Sequence, residues 1–96
     1  MIGLLFSPAA QADLDEIWDF TIERWGQKQA VRYLTDIRDA CHGLVAGTEH
    51  SRPSDIRTGY HKCRSGSHFL YYRIADDGTI IIVRILHQRM DVSRHL

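Results

Sequence analysis

The sequence predicts an α+β domain: an N-terminal strand, then an antiparallel helical hairpin packed on a mainly antiparallel sheet of three to four strands. Three observations predict it. Two stretches with apolar residues at helical spacing are separated by a single glycine, Gly26. Three short β-rich runs then follow closely, divided by Ser65-Gly66 and Asp77-Gly78, where glycine supplies the positive φ that a tight reversal needs. The last run, Ile80–His87, is mostly β-branched and apolar, the pattern of a strand covered on both faces. With 96 residues, the whole chain, 1–96, reads as one domain around one core.

Ile2–Phe6 reads as the short first strand. Ser7-Pro8 is a helix start, a hydroxyl to cap free N–H groups and then a proline at the first helical position. Ala10, Leu14, Ile17, Trp18, Thr21, Ile22 and Trp25 form one apolar stripe, with Asp13, Asp15, Glu16, Asp19 and Glu23 outside it. These acids lie toward the positive end of the helix dipole. A second helix, from about Gln27 to Ala46, carries Ala30, Tyr33, Leu34, Ile37, Ala40, Cys41, Leu44 and Val45 on its stripe, and Gly47 stops it. One glycine between two amphipathic helices forces a hairpin. The tryptophans and the tyrosine on these stripes read as core. Thr48–Thr58 is a polar loop, Gly59–Arg64, Ser67–Ala75 and Thr79–His87 are strands, and the tail from Asp91 forms a helical turn or lies flat.

The chain is 44% hydrophobic and 25% charged, as in globular rather than disordered proteins. Its apolar start, Met1–Phe6, is too short for an export signal or a membrane span, so the expected location is the cytoplasm, away from membranes. Cys41 and Cys63 lack a CxxC pair, and with His42 and His50 they show no metal-ligand spacing; no metal or cofactor is expected. A net charge of zero hides an asymmetry. Up to Ile56 there are five basic and nine acidic residues, and from Arg57 onward seven basic and three acidic. The halves either complement each other or leave a basic functional face on the second half.

The two reversals set a provisional register, and register sorts side chains by face. A two-residue loop at Asp77-Gly78 places Arg73 opposite Ile82 and Tyr71 opposite Arg84. The same at Ser65-Gly66 places Lys62 opposite Phe69 and Tyr60 opposite Tyr71. One face then holds Tyr60, Lys62, Arg64, Phe69, Tyr71, Arg73, Ile82, Arg84 and Leu86. The other holds His61, Cys63, His68, Leu70, Tyr72, Ile74, Ile81, Val83, Ile85 and His87, and is assigned to the helices. Cations interleaved with aromatics, with Arg89 just beyond the last strand, suit a phosphate-bearing or acidic partner. The plainer reading is a solvated face with scattered charges. His87 is a candidate general base, although a structural role at the strand end suits its register too.

Several stretches resemble the ParE-type toxins of the RelE/ParE toxin–antitoxin superfamily. They are Phe6-Ser7-Pro8-Ala9-Ala10-Gln11-Ala12-Asp13-Leu14-Asp15-Glu16-Ile17-Trp18-Asp19, Arg24-Trp25-Gly26, Arg52-Pro53, Gly59-Tyr60, His68-Phe69-Leu70-Tyr71-Tyr72-Arg73 and Val83-Arg84-Ile85-Leu86-His87-Gln88-Arg89-Met90-Asp91. The resemblance implies the fold derived above, a plasmid-stabilisation toxin that inhibits DNA gyrase by binding, and neutralisation by a ParD-like antitoxin in a hetero-oligomer. Contact with DNA would run only through the antitoxin. The target-binding face would be Tyr60, Lys62, Arg64, Tyr71, Arg73, Arg84 and Arg89. The apolar helix margins, Trp18, Ile22, Trp25, Tyr33 and Ile37, would take the antitoxin. RelE-type members cut messenger RNA; that alternative would use Arg64, Arg73 and Arg84 for phosphate and His87 for proton transfer. The family's RelE-like tyrosine after the last strand is replaced by Gln88-Arg89-Met90-Asp91, which favours gyrase inhibition over catalysis. A degenerate member that only binds its antitoxin is the third alternative.

Overall fold

Ser7 and Pro8 turn the chain from strand into helix. The computed structural model describes residues 3–48, 52–54 and 58–96. Strand β1 (Leu4–Phe6) ends at Ser7, whose Oγ accepts the Ala10 N–H at 3.0 Å, and Pro8 opens helix α1 (Pro8–Trp25). Gly26, at φ 88°, passes the chain directly into helix α2 (Gln27–Ala46). Gly47, left-handed at φ 78°, closes α2 by donating its N–H to carbonyls of the last turn.

Four further strands follow: β2 (Arg52–Pro53), β3 (His61–Ser65), β4 (His68–Ile74) and β5 (Ile80–His87). The sheet order is β1-β5-β4-β3-β2; β1 runs parallel to β5 and every other pairing is antiparallel. The predicted fold class holds. The sheet is wider than expected because Arg52 and Pro53 in the predicted loop pair with Lys62 and His61. Met1, Ile2, 49–51 and 55–57 lie outside the described residues. The tail makes a 3-10 turn at Val92–Arg94.

Ala10 and Ile17 of α1 and Ile37, Ala40 and Cys41 of α2 pack on Cys63, Leu70, Tyr72, Ile80, Ile82 and Ile85. Burial and the neighbouring Cys63 push the Cys41 thiol up to about 12, so this cysteine stays a protonated core residue. Two expectations about the helices fail. Trp25, at the end of α1, is 69% exposed rather than core. Asp13, placed outside the apolar stripe, is only 7% exposed.

The register differs in two places, each with a local cause. The first reversal uses Gly66 and Ser67, so Ser65 faces His68, Lys62 faces Tyr71 and Arg64 faces Phe69. That slip of two residues leaves every side chain on its expected face. At the second, Ile74 faces Ile80, and a bulge then places Tyr72 opposite Ile82 and Tyr71 opposite Arg84, with Val83 the extra residue. Arg73 therefore faces Ile81, not Ile82. Ile82 moves to the helix side, where it is fully buried.

The first reversal is stapled to α2. The Tyr33 hydroxyl accepts the Ser67 N–H at 3.0 Å and is hydrogen-bonded to His68 Nδ1 at 2.6 Å. A Cβ on Gly66, at φ 58°, would fall 2.8 Å from the Tyr33 ring. Gly66→Ala is therefore strained in its backbone and displaces the tyrosine. We expect a loss of about 1–3 kcal/mol, read as a lower urea midpoint with unchanged slope; an unchanged midpoint would refute this packing.

Candidate functional site

The last strand, β5, carries two of the groups singled out above, Arg84 and His87. β1 stops at Phe6, opposite Ile82, so β5 has an open edge from Val83 onward. Helix α1 covers that edge. Ser7 N–H donates to Ile82 O at 2.9 Å and Ser7 Oγ to Val83 O at 2.6 Å. Nearly two helical turns later, Asp13 accepts the Ile85 N–H at 2.9 Å.

Asp13 also binds Arg84 through both carboxylate oxygens, Nε to Oδ2 and Nη2 to Oδ1, each at 2.8 Å. This fork geometry matches guanidinium to carboxylate, and it raises the Arg84 pKa further. Arg84 Nη1 reaches the His95 carbonyl at 3.3 Å. Arg84 is thus a structural ion-pair member, contrary to its predicted place on the partner-facing cationic surface. Helical spacing lets Asp13 share the face of Ala10 and Ile17, and Arg84 stands in a mostly apolar strand, but nothing in the sequence pairs the two.

The sheet face away from the helices carries Lys62, Arg64, Phe69, Tyr71, Arg73 and Leu86, as expected. Its centre is closed, since Tyr71 is 3% and Leu86 1% exposed. The cations lie around it. Lys62 Nζ and Arg64 Cζ lie 5.3 and 5.7 Å from the Phe69 ring centroid. Arg64 donates to Gly66 O and Gln88 Oε1. Arg73 and Arg89 are exposed, and their guanidinium groups form no ion pair among the described residues. Tyr60 is half-buried before β3, its carbonyl accepting the Ser54 N–H.

His87 belongs to the opposite, helix-facing side. It lines a groove of about 390 Å³ with His68, Ile85 and Met90 and with Asp13, Glu16, Ile17 and Phe20 of α1. The His68 and His87 rings meet edge to face at 5.2 Å, and His87 Nδ1 accepts the Arg89 N–H at 3.2 Å. Burial, then the neighbouring His87, lowers the His68 pKa to about 4 against a smaller opposing effect of Asp13. Of the helix-margin residues, Ile37 is core, Tyr33 is tied to the β3–β4 reversal, Trp18 and Ile22 are half-buried, and Trp25 is exposed. Among the described residues, no cluster of three or more side chains could hold a metal, and no helix is long and apolar enough to cross a membrane.

The family model for the ParE toxin of the parDE type II toxin–antitoxin system matches residues 4–92. The chain is 53% identical to Toxin ParE1 of Mycobacterium tuberculosis over 93 residues, which cover 96% of this chain and 95% of the relative. This chain belongs to the ParE family of type II toxins. Toxin ParE1 of Caulobacter vibrioides is 36% identical over 91 residues, covering 94% and 93% of the two chains. A solved structure of the chromosomal ParDE system from P. aeruginosa superposes with a TM-score of 0.77 at 27% identity, covering 91% of this chain and 96% of that one. The two-helix, mixed-sheet architecture is thus the ParE/RelE one.

The ion pair and the buried histidine can each be tested. Removing the Arg84 guanidinium strands a buried carboxylate, so Arg84→Ala should cost about 2–3 kcal/mol, and the Asp13→Ala/Arg84→Ala double variant should lose less than the sum of the singles. Additive losses in urea titrations would show that the pair is not coupled. Because folding lowers the His68 pKa, its neutral form stabilises the fold. That contribution is complete above about pH 6.5 and is lost as pH falls toward 4. His68→Asn keeps a hydrogen-bonding side chain beside Tyr33 without titrating, so wild type should lose more melting temperature than this variant between pH 7 and 4.5. Parallel pH profiles would contradict the assignment.

Proposed function

We propose that this ParE-family chain acts by binding rather than catalysis: it inhibits DNA gyrase and is held silent by a ParD-like antitoxin in a hetero-oligomer. The observation that carries this reading is the separation of its candidate groups. Lys62, Arg64 and Arg73 lie on one side of the sheet, His68 and His87 line a groove on the other, and Arg84 is consumed by Asp13. A ribonuclease must hold a phosphate and transfer protons at the same atoms, and the sheet stands between these groups. The likeness to the P. aeruginosa ParDE structure supports the ParD-like partner. The target-facing residues are then Lys62, Arg64, Arg73 and Arg89, with Tyr60 beside them.

Purified protein should inhibit supercoiling of relaxed plasmid by gyrase. Lys62→Glu and Arg73→Glu should each weaken inhibition about tenfold without lowering the melting temperature. Intact supercoiling at excess toxin, with new 5′ ends on cellular messages by primer extension after induction, would replace this reading with messenger RNA cleavage.

A further inference from the structure

The five described strands carry Arg52, Lys62, Arg64, Arg73 and Arg84 but no aspartate or glutamate. The cations on the outer face divide into two settings. At the β3–β4 reversal, Lys62 and Arg64 stand two residues apart on β3, on one face, and flank the Phe69 ring. The Arg64 guanidinium is held in place: Nε donates to Gly66 O at 3.0 Å and Nη2 to Gln88 Oε1 at 2.7 Å, while Nη1 makes no hydrogen bond among the described residues. Arg89 follows Gln88 and is exposed. None of these three cations has a carboxylate partner among the described residues. A guanidinium oriented by neutral acceptors keeps its full charge and its outward donors, which suits a phosphate oxygen.

The surroundings decide between two kinds of anionic partner. A protein contact surface is built round apolar anchors. Among the described residues, no exposed large apolar side chain belongs to this corner; Met90, nearest in sequence, lines the groove on the helix side. Tyr71 and Leu86, next to it on the sheet, are buried. The other end of the same face differs. Arg73 pairs across to Ile81 and Ile81 to Leu5, which is 58% exposed, so there a cation borders an apolar surface. A nucleic-acid contact is polar and strongly basic and needs no such anchor.

We propose that the corner formed by Lys62, Arg64 and Arg89 contacts the phosphate backbone of duplex DNA directly, leaving the Arg73–Ile81–Leu5 end of the face for protein. The proposal rests on the gyrase reading, which puts duplex DNA beside the bound toxin. It departs from the expectation that DNA is met only through the antitoxin. Phosphate contacts carry no sequence information, so duplexes of different sequence bind alike.

The test titrates the full-length protein into a short fluorescent duplex at about 50 mM salt, with neither gyrase nor antitoxin present. Three phosphate contacts give a slope of about −2.7 for the logarithm of affinity against the logarithm of salt concentration. Lys62→Glu and Arg89→Glu should each weaken binding about tenfold and flatten that slope by about one, with melting temperatures unchanged. Lys28→Glu makes the same charge change on α2 and should leave binding within about twofold. Polyglutamate, at equal charge concentration, should compete at least about tenfold less well than unlabelled duplex. Absence of DNA binding, equal losses from Lys62→Glu and Lys28→Glu, or equal competition by polyglutamate, which would assign the corner to an acidic protein, would each overturn the proposal. Supercoiling inhibition that persists without DNA binding would remove this contact and leave the gyrase reading standing.

Discussion

A single buried carboxylate decides how helix α1 meets the sheet. Asp13 accepts two guanidinium N–H groups and one backbone N–H, all within 2.9 Å. A lone buried charge would be costly to the fold, whereas one matched by a bidentate cation and an amide is compensated. The third bond has a further consequence. β1 is too short to pair with β5 beyond Ile82, and Ser7 and Asp13 supply the missing partners. Helix α1 therefore does two jobs: it buries Ala10 and Ile17 against the sheet and closes the sheet's open edge with polar atoms.

That arrangement shapes both surfaces. Drawing Arg84 to Asp13 takes its charge out of the cationic face, leaving Lys62, Arg64, Arg73 and Arg89 around a closed centre of Tyr71 and Leu86. Seating α1 along β5 also sets Glu16 and Phe20 across from His87 and Met90, and the groove is the gap between them. The bulge at Val83 shares in this outcome. It carries the strand from Ile82, which faces the helices, to Arg84 on the other side within two residues, and it frees the Val83 carbonyl for Ser7.

Most of the fold was legible because its signals are local. Ser7-Pro8, Gly26 and Gly47 mark helix ends through capping and backbone freedom, and the helix periodicity needs no tertiary information. The faces of β3 and β4 also survive an error in the first reversal, because the slip was of two residues. What escaped was tertiary. Nothing around Val83 announces a bulge, so Ile82 was assigned to the wrong side. Asp13 reads as a surface acid among four others on α1 until its place beside an unpaired strand edge is known. Trp25 reads as core by spacing, yet α1 ends there and the side chain is mostly exposed. The cationic residues could be named from the sequence; which of them is occupied by its own chain could not.

Hydrogen exchange at the Ile85 amide tests the central claim most directly. If the Asp13 carboxylate closes the β5 edge, this amide exchanges about as slowly as the most protected amides of β4, through opening of the whole domain, and it becomes much faster in Asp13→Ala while the β4 amides remain the slowest set. An Ile85 amide that exchanges in wild type at the rate of an exposed strand edge would contradict the account.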